Sequence, residues 1–375
     1  MKKINPNNIW YHLKKNDKKA KISYMAKIIY GMSGQGFGHS TRSKEIIRQL
    51  IKSGHQVKIF TYGQSLFMLE KEFSDLIFEI PGFILSYKKN KLVYWKTIYE
   101  NVKKFTHQTR YWKKVSAEFS AFNPDLVITD FEPLTALLAK TKKKPLISID
   151  NQHQLTNTEI KLPLKYRKDF LTDRLIVKLL VWGANYYLIT SFFKTKVTHA
   201  KTFLFAPIIR KEILDLRPKI GDYILVYQGA DFSNFIPELE KIDENFIVVG
   251  PDREGKHKNI TFVKYSFTDW LKLLSEAKAV IATAGLSLIS ECVYLEKPYL
   301  ALPIKNQVEQ TINALYLERN GLGLQAEKFT VEVFNEFINN LDAYKKNLKK
   351  ADKCSNRKLF VKLEKLIALL LEKKP

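Results

Sequence analysis

Two stretches of this sequence carry residue types and spacings that suit chemistry. The first is Gly31-Met32-Ser33-Gly34-Gln35-Gly36-Phe37-Gly38-His39-Ser40-Thr41, between a predicted strand and a predicted helix. Gly34, Gly36 and Gly38 let the backbone approach a ligand closely, and a helix start favours negative charge. His39 adds a titratable group at that helix start. A plain strand-to-helix turn is the competing reading. The spacing is G-x-G-x-G-H, not G-x-G-x-x-G. The second strand ends in Phe60-Thr61-Tyr62, without the carboxylate that holds an adenosine ribose. Both features argue against NAD or FAD, and no Gly-Lys-Ser/Thr follows to make a P-loop.

The second stretch is denser. Thr283-Ala284-Gly285-Leu286-Ser287-Leu288-Ile289-Ser290-Glu291 is followed by Lys297-Pro298, Leu302-Pro303 and Glu309-Gln310-Thr311-Ile312-Asn313. Gly285 opens a predicted helix whose unpaired N–H groups suit a diphosphate. Glu291 falls about two turns on, where a carboxylate can accept both hydroxyls of a ribose. The amides of Gln310 and Asn313 each offer a donor and an acceptor to sugar hydroxyls. No Asp-x-Asp pair occurs in the sequence, so a metal-held diphosphate is not expected.

These loops need parallel strands behind them, and the pattern supplies two sets. Strands are predicted at 27–30, 56–60, 76–80, 125–129, 145–149 and 186–189, with helices at 41–52, 92–122, 133–141 and 162–181. After a join near Ala206-Pro207 the pattern restarts. Strands are predicted at 223–227, 246–249, 261–264, 279–283 and 299–302, with helices at 268–277, 286–295, 309–319 and 331–341. Alternating strands and helices imply parallel sheets covered on both faces, with ligands at the carboxyl ends of the strands. The expected organisation is an α/β chain of two Rossmann-like doubly wound domains facing across a cleft. A flexible extension, 1–24, precedes them, and Met25 is an alternative start. The domains are 25–207 and 208–355, and 356–375 form an amphipathic helix. Leu175 to Ile189 reads as a buried helix followed by a strand.

Composition narrows the class. The 375 residues include 62 Lys+Arg against 38 Asp+Glu, a net charge of +24, which implies an anionic partner. Only Cys292 and Cys354 occur, too few for a disulfide scaffold and without the spacing of a structural zinc site. No run of about 18 apolar residues is present to cross a membrane. Residues 88–114 interleave Lys and Arg with Tyr94, Trp95, Tyr99, Phe105, Tyr111 and Trp112. That mixture suits an anionic membrane surface or a solvated helix with its aromatics turned inward. Single-stranded nucleic acid is a weaker fit and is not expected as a partner.

Taken in order, these motifs resemble the GT-B glycosyltransferases, in particular family 28. That group includes the peptidoglycan GlcNAc transferase and the diacylglycerol galactosyltransferases, and a closer resemblance is to a poorly characterised microbial subgroup. Residues 283–313 resemble the family's donor-sugar-nucleotide motif. Gly34–His39 resembles its glycine loop, and Ile149-Asp150-Asn151-Gln152-His153 its acceptor-side loop. Gln228-Gly229-Ala230 resembles the loop opening its second domain. Glu309-Gln310 stands where the family has paired glutamines. The resemblance implies inverting transfer from a nucleotide diphosphate sugar, UDP-linked, to a hydroxyl, with no cofactor and no metal. Gly229, Gly285, Ser287, Glu291, Gln310 and Asn313 would hold the donor. Gly34, Gly36, Gly38, Asn151 and Gln152 would line the acceptor and phosphate side. His39 is the first candidate for the base, with Asp130, Glu132 and His153 as rivals. Asp130 and Glu132 read equally well as caps of the helix that begins at Pro133. The implied acceptor is a lipid or polysaccharide precursor. The implied location is cytoplasmic, on the inner face of the cell membrane. A UDP-sugar 2-epimerase of the same fold and a non-catalytic basic protein binding membrane or nucleic acid are the alternatives.

Overall fold

The computed structural model describes residues 25–34, 37–82, 87–88, 91–92, 99–100, 109–227, 235–250, 254–351 and 355–372. The predicted 1–24 extension, Gly36 and the Gln228-Gly229-Ala230 loop lie outside them. The chain forms two compact units, Met1–Ile208 with Ser355–Pro375, and Ile209–Cys354.

The first unit runs β1 (Lys27–Met32), α1 (Phe37–Lys52), β2 (Gln56–Thr61), α2 (Gly63–Phe73) and β3 (Ile77–Glu79). A small hairpin follows, β4 (Tyr87–Lys88) with β5 (Lys91–Leu92), and then α3 (Thr109–Phe122). The unit continues with β6 (Leu126–Asp130), α4 (Pro133–Thr141), β7 (Leu146–Asp150), α5 (Gln154–Asn157), α6 (Arg167–Leu180), β8 (Tyr186–Thr190) and β9 (Thr202–Phe205). Seven strands form one parallel sheet in the order β3-β2-β1-β6-β7-β8-β9. Alternate residues feed opposite faces. Ile28, Tyr30 and Met32 join Ile46, Ile47 and Leu69 on one side, while Ile29 and Val127 meet Phe119 and Leu134 on the other. Burial on both faces is why these strands read as continuous apolar runs.

The second unit holds α7 (Lys211–Leu214), β10 (Tyr223–Tyr227), α8 (Ile236–Leu239), β11 (Asn245–Val249), β12 (Gly255–His257), β13 (Ile260–Val263) and α9 (Phe267–Glu276). It continues with β14 (Ala279–Ala282), α10 (Leu286–Tyr294), β15 (Tyr299–Ala301), α11 (Val308–Arg319), β16 (Gly323–Gln325), α12 (Val331–Asn339) and α13 (Leu341–Lys350). Its sheet order is β12-β13-β11-β10-β14-β15-β16, parallel except for the β12–β13 pair.

The last helix, α14 (Asn356–Glu372), is not a unit of its own. Leu359, Leu363, Leu366, Ile367 and Leu370 enter the core of the first unit, each contributing about 1.5–3 kcal/mol of apolar burial. A polar pin adds direction. The Ala26 amide donates to His55 Nδ1 at 3.2 Å, so the proton sits on Nε2, which donates to Glu364 Oε2 at 2.9 Å.

Two expectations about helices change. The predicted 92–122 helix does not begin at Leu92, which pairs opposite Tyr87 in the hairpin. In its described part, α3, Tyr111 and Trp112 pack against the core, so those aromatics face inward. The predicted buried helix at Leu175 instead exposes Leu171, Leu175 and Leu179, because α6 buries only the side that carries Val177.

Candidate functional site

In each sheet the strand order reverses direction at one point, between β1 and β6 in the first unit and between β10 and β14 in the second. Connections leave to opposite sides there, which opens a crevice at the carboxyl ends of the two strands. Both sets of chemical residues fall at these points.

In the first unit Met32 and Asp130 are level with each other at the carboxyl ends of β1 and β6. The chain leaves β1 through Ser33-Gly34, where the Ser33 amide donates to the Asp130 carbonyl at 3.1 Å. Gly34 lies so close to β2 that a Cβ there would sit 2.1 Å from the Tyr62 carbonyl, so glycine is required. α1 then brings His39 and Arg42, one turn apart, over Asp130. The Asp130 carboxylate is fully buried and collects His39 Nδ1 at 2.8 Å, Arg42 Nε at 2.7 Å, Arg42 Nη2, and Ser43 Oγ at 2.9 Å. Burial alone would raise its pKa, but the Arg42 guanidinium and His39 hold the carboxyl well below the usual range. An ionised carboxylate only accepts hydrogen bonds, so the contact with Asp130 puts a proton on His39 Nδ1, and the neutral ring then has its lone pair on Nε2; Arg42 Nη2, 3.0 Å from the same nitrogen, has Asp130 as its acceptor. The imidazole is 15% exposed and its partner 0%. Arg42 also donates through Nη1 to Asn151 Oδ1 at 3.2 Å, tying the loop after β7 to the same cluster. The charge of Arg42 offsets that of Asp130, so Asp130 chiefly fixes the tautomer and aim of His39.

The two other rival bases take different roles. Phe131 turns the chain at φ 50, in the left-handed region, and delivers Glu132 to the N-cap of α4. There its carboxylate accepts from the Leu134 amide at 2.9 Å, the Thr135 amide at 2.6 Å and Thr135 Oγ1 at 2.6 Å. Glu132 is thus a buried helix cap, with no oxygen aimed at His39. His153 is 3% exposed, and both of its nitrogens face acceptors: Asp150 Oδ2 at 2.7 Å and the Val181 carbonyl at 2.9 Å. Two acceptors require two N–H groups, so the ring is an imidazolium and has no lone pair for a base. Burial opposes that charge. Asp150 and the C-terminal carbonyl of α6 overcome it and raise the His153 pKa. A raised imidazole pKa contributes stability that is complete below the unfolded value of about 6.5 and is lost as pH rises through the folded value. Melting temperatures of wild type and His153→Gln should therefore converge as pH rises through that window. Parallel profiles would show that the ring is not charged.

In the second unit Gly285 is the N-cap of α10, with extended backbone and no side-chain cap. A Cβ there would meet nothing within 4 Å, so the space before the first amides of α10 is open. Ser287 lies in this first turn and is half-buried. Asn313 Nδ2 donates to the Ala284 carbonyl at 3.0 Å, and Gln310 Oε1 accepts from the Ile304 amide at 3.0 Å. Each amide therefore braces a loop beside the start of α10 with one of its two ends.

A sequence model described as Glycosyl transferase family 1 matches residues 26–342. The chain belongs to that family. An uncharacterized glycosyltransferase of Methanosarcina acetivorans is 26% identical over 92% of this chain and 98% of its own. The UDP-N-acetylglucosamine--N-acetylmuramyl-(pentapeptide) pyrophosphoryl-undecaprenol N-acetylglucosamine transferase of Streptococcus agalactiae is 25% identical, over 41% of this chain and 47% of its own. The crystal structure of Acinetobacter baumannii MurG superposes with a TM-score of 0.59 at 16% identity, covering 92% of this chain and 99% of that one. The protein is a glycosyltransferase of the GT-B fold.

The glycosyltransferase carries two further candidate site residues that the sequence did not single out. Arg42 is one. The other is Arg210, whose Nε lies 2.8 Å from Glu291 Oε1 and whose Nη2 donates to Glu291 Oε2 at 2.9 Å. Burial raises the Glu291 carboxyl above its usual range, and Arg210 offsets only part of that rise. The guanidinium also stands 5.2 Å from the centre of the Phe267 ring. Arg42 had a local signal, one helical turn after His39 on a helix whose start the glycine loop marks as a candidate ligand site. Arg210 had none, since 81 residues separate it from Glu291.

Proposed function

We propose that this glycosyltransferase moves a sugar, with inversion, from a UDP-linked donor such as UDP-GlcNAc or a UDP-hexose to a hydroxyl of a lipid-linked or cell-envelope acceptor. The observation that carries the reading is the His39–Asp130 pair at the switch point of the first sheet, which leaves Nε2 of the neutral ring as its basic nitrogen. In the transfer, the acceptor oxygen forms a bond to the anomeric carbon while the bond from that carbon to the diphosphate breaks. The acceptor proton passes to His39 Nε2. The charge growing on the diphosphate is met by the open amides at the start of α10 and by Ser287. Glu291 takes the ribose hydroxyls, and Gln310 and Asn313 read the sugar. Gly34, Gly38, Asn151 and Gln152 belong to the acceptor side. The UDP assignment draws support from the Streptococcus relative, which is named for its UDP-N-acetylglucosamine donor. No resident metal enters the reading, so a chelator should leave the rate unchanged. The work site is the cytoplasmic face of a membrane. Among the described residues no helix is long and apolar enough to cross one.

The test is a panel of UDP, UDP-GlcNAc, UDP-glucose, UDP-galactose, GDP-mannose and dTDP-sugars in a thermal-shift assay. A ligand at about 100 times its dissociation constant adds roughly 2.7 kcal/mol, a readily visible shift. A UDP compound should stabilise the wild type, and Glu291→Ala should lose the response. A panel without any shift removes the donor assignment.

A further inference from the structure

The side of α6 turned to solvent has an unusual composition. Its exposed residues are Arg167, Lys168, Leu171, Leu175, Lys178 and Leu179, so each is either a cation or a leucine. Leu171, Leu175 and Leu179 are 52%, 57% and 64% exposed and repeat every four residues, which makes a ridge along one face. Arg167 and Lys168 precede the ridge and Lys178 flanks it. Both acids of the helix, Asp169 and Asp173, are half-buried on the opposite side. The ridge continues beyond both ends of the helix, to Leu164 at 81% exposure and Trp182 at 45%, with Lys140 Nζ set 5.9 Å over the Trp182 ring. Ordinary surface helices turn their polar side outward. This one turns out a leucine row edged with positive charge.

We propose that the outer face of α6 is the surface by which the protein lies on an anionic lipid bilayer. Leucines on such a face reach the acyl boundary, while Lys and Arg extend their stems and keep their charges among the phosphates. Charge decides between occupants. A second copy would bring Arg167, Lys168 and Lys178 against a face with no exposed acid. A nucleic acid would meet leucines where it needs stacking aromatics. The overall charge of +24 points the same way. Topology gives the surface a use. The chain reaches α6 from the carboxyl end of β7, so the start of the helix lies toward the sheet edge that holds His39 and Asp130. A bilayer there would present a lipid-linked hydroxyl to that edge, a consequence that rests on the transferase reading above. The lipid contact itself does not. Of the aromatics in the 88–114 stretch, Tyr111 and Trp112 pack against the core and Tyr99 is exposed, while Tyr94, Trp95 and Phe105 lie outside the described residues.

The experiment is co-sedimentation of the full chain with sucrose-loaded vesicles of phosphatidylcholine alone or with about one third phosphatidylglycerol. The wild type should bind the anionic vesicles at low salt and release at high salt. Leu175→Glu with Leu179→Glu, and separately Lys168→Ser with Lys178→Ser, should each lower partition about tenfold or more, as loss of membrane-facing leucines or of two lipid-facing cations requires. Lys113→Ser with Lys114→Ser on α3 is the control and should change it little. Each variant must keep the wild-type melting temperature and UDP response, which separates docking from folding and from the donor site. Absence of wild-type binding overturns the proposal, as does binding that the leucine pair does not affect. So does a dimer by light scattering, or oligonucleotide binding, that the leucine variant abolishes while vesicle binding persists. A wild type that binds vesicles but gives no UDP response would remove the UDP-donor reading and leave the docking surface standing.

Discussion

Asp130→Asn should destabilise the first unit by about 3–5 kcal/mol, the usual result of removing one partner of a buried ion pair. The reason lies with Arg42, which is 6% exposed and sends both Nε and Nη2 to this carboxylate. An asparagine keeps the shape but removes the charge, and its NH2 group meets donors from Arg42 or Ser43. For a unit of this size the loss corresponds to a melting temperature lower by roughly 6–20 °C. The double variant Asp130→Asn with Arg42→Met should recover a large part of it, because the expensive species is an uncompensated buried charge and not the missing bond. If the single variant melts within a degree of wild type, the pair is not what holds the end of β6 to α1. Acid gives a second check. A carboxyl whose pKa is depressed on folding contributes fully above its unfolded value of about 3.9 and loses that contribution as pH falls toward the folded value. The gap between wild type and Asp130→Asn should therefore narrow only below about pH 4.

The same cluster shows what could be seen in the sequence. The strands were legible because parallel sheets buried on both faces leave short runs such as Leu126–Asp130 and Tyr223–Tyr227, with glycine or a cap residue after them. The glycine loop and the Gly285 helix start were legible for the same local reason. Partnership was not. Asp130, Glu132 and His153 looked alike as polar groups just beyond strands. Only the fold separates a carboxylate facing His39 from one turned into a helix N-terminus, or an imidazole between two acceptors from one with a lone pair. The α2 helix, Gly63–Phe73, went unseen because its apolar residues bunch at Leu66, Phe67, Met68 and Leu69 instead of recurring at helical spacing, and Phe67 faces solvent. The apolar face of α14 was plain from its spacing, yet nothing local says that it belongs with the first unit. That depends on His55 meeting Glu364 across 309 positions. Leu171, Leu175 and Leu179 misled in the opposite direction. Their spacing promises a buried stripe, and the buried side of α6 turns out to be the one with Val177.

His39→Ala should lower the rate of sugar transfer by about 10²–10⁴-fold, the range for losing a general base. Three readouts separate this role from a structural one. First, the residues assigned to the donor are Gly285, Glu291, Gln310 and Asn313, all in the second unit, so the thermal shift with the UDP ligand should be unchanged. Second, the side chain is partly exposed and its removal leaves the Arg42–Asp130 pair in place, so stability should fall far less than in Asp130→Asn. Third, the cavity left by alanine lies beside an intact Asp130, which can orient a small imidazole through the same hydrogen bond. Added imidazole should restore part of the rate in His39→Ala and none in the double variant that also carries Asp130→Asn. A Gln at position 39 would keep a donor toward Asp130 but offers no basic nitrogen, so it should be as slow as alanine. A rate that survives His39→Ala, or that Gln restores, would mean that the imidazole only props the loop and that the acceptor proton leaves by another route.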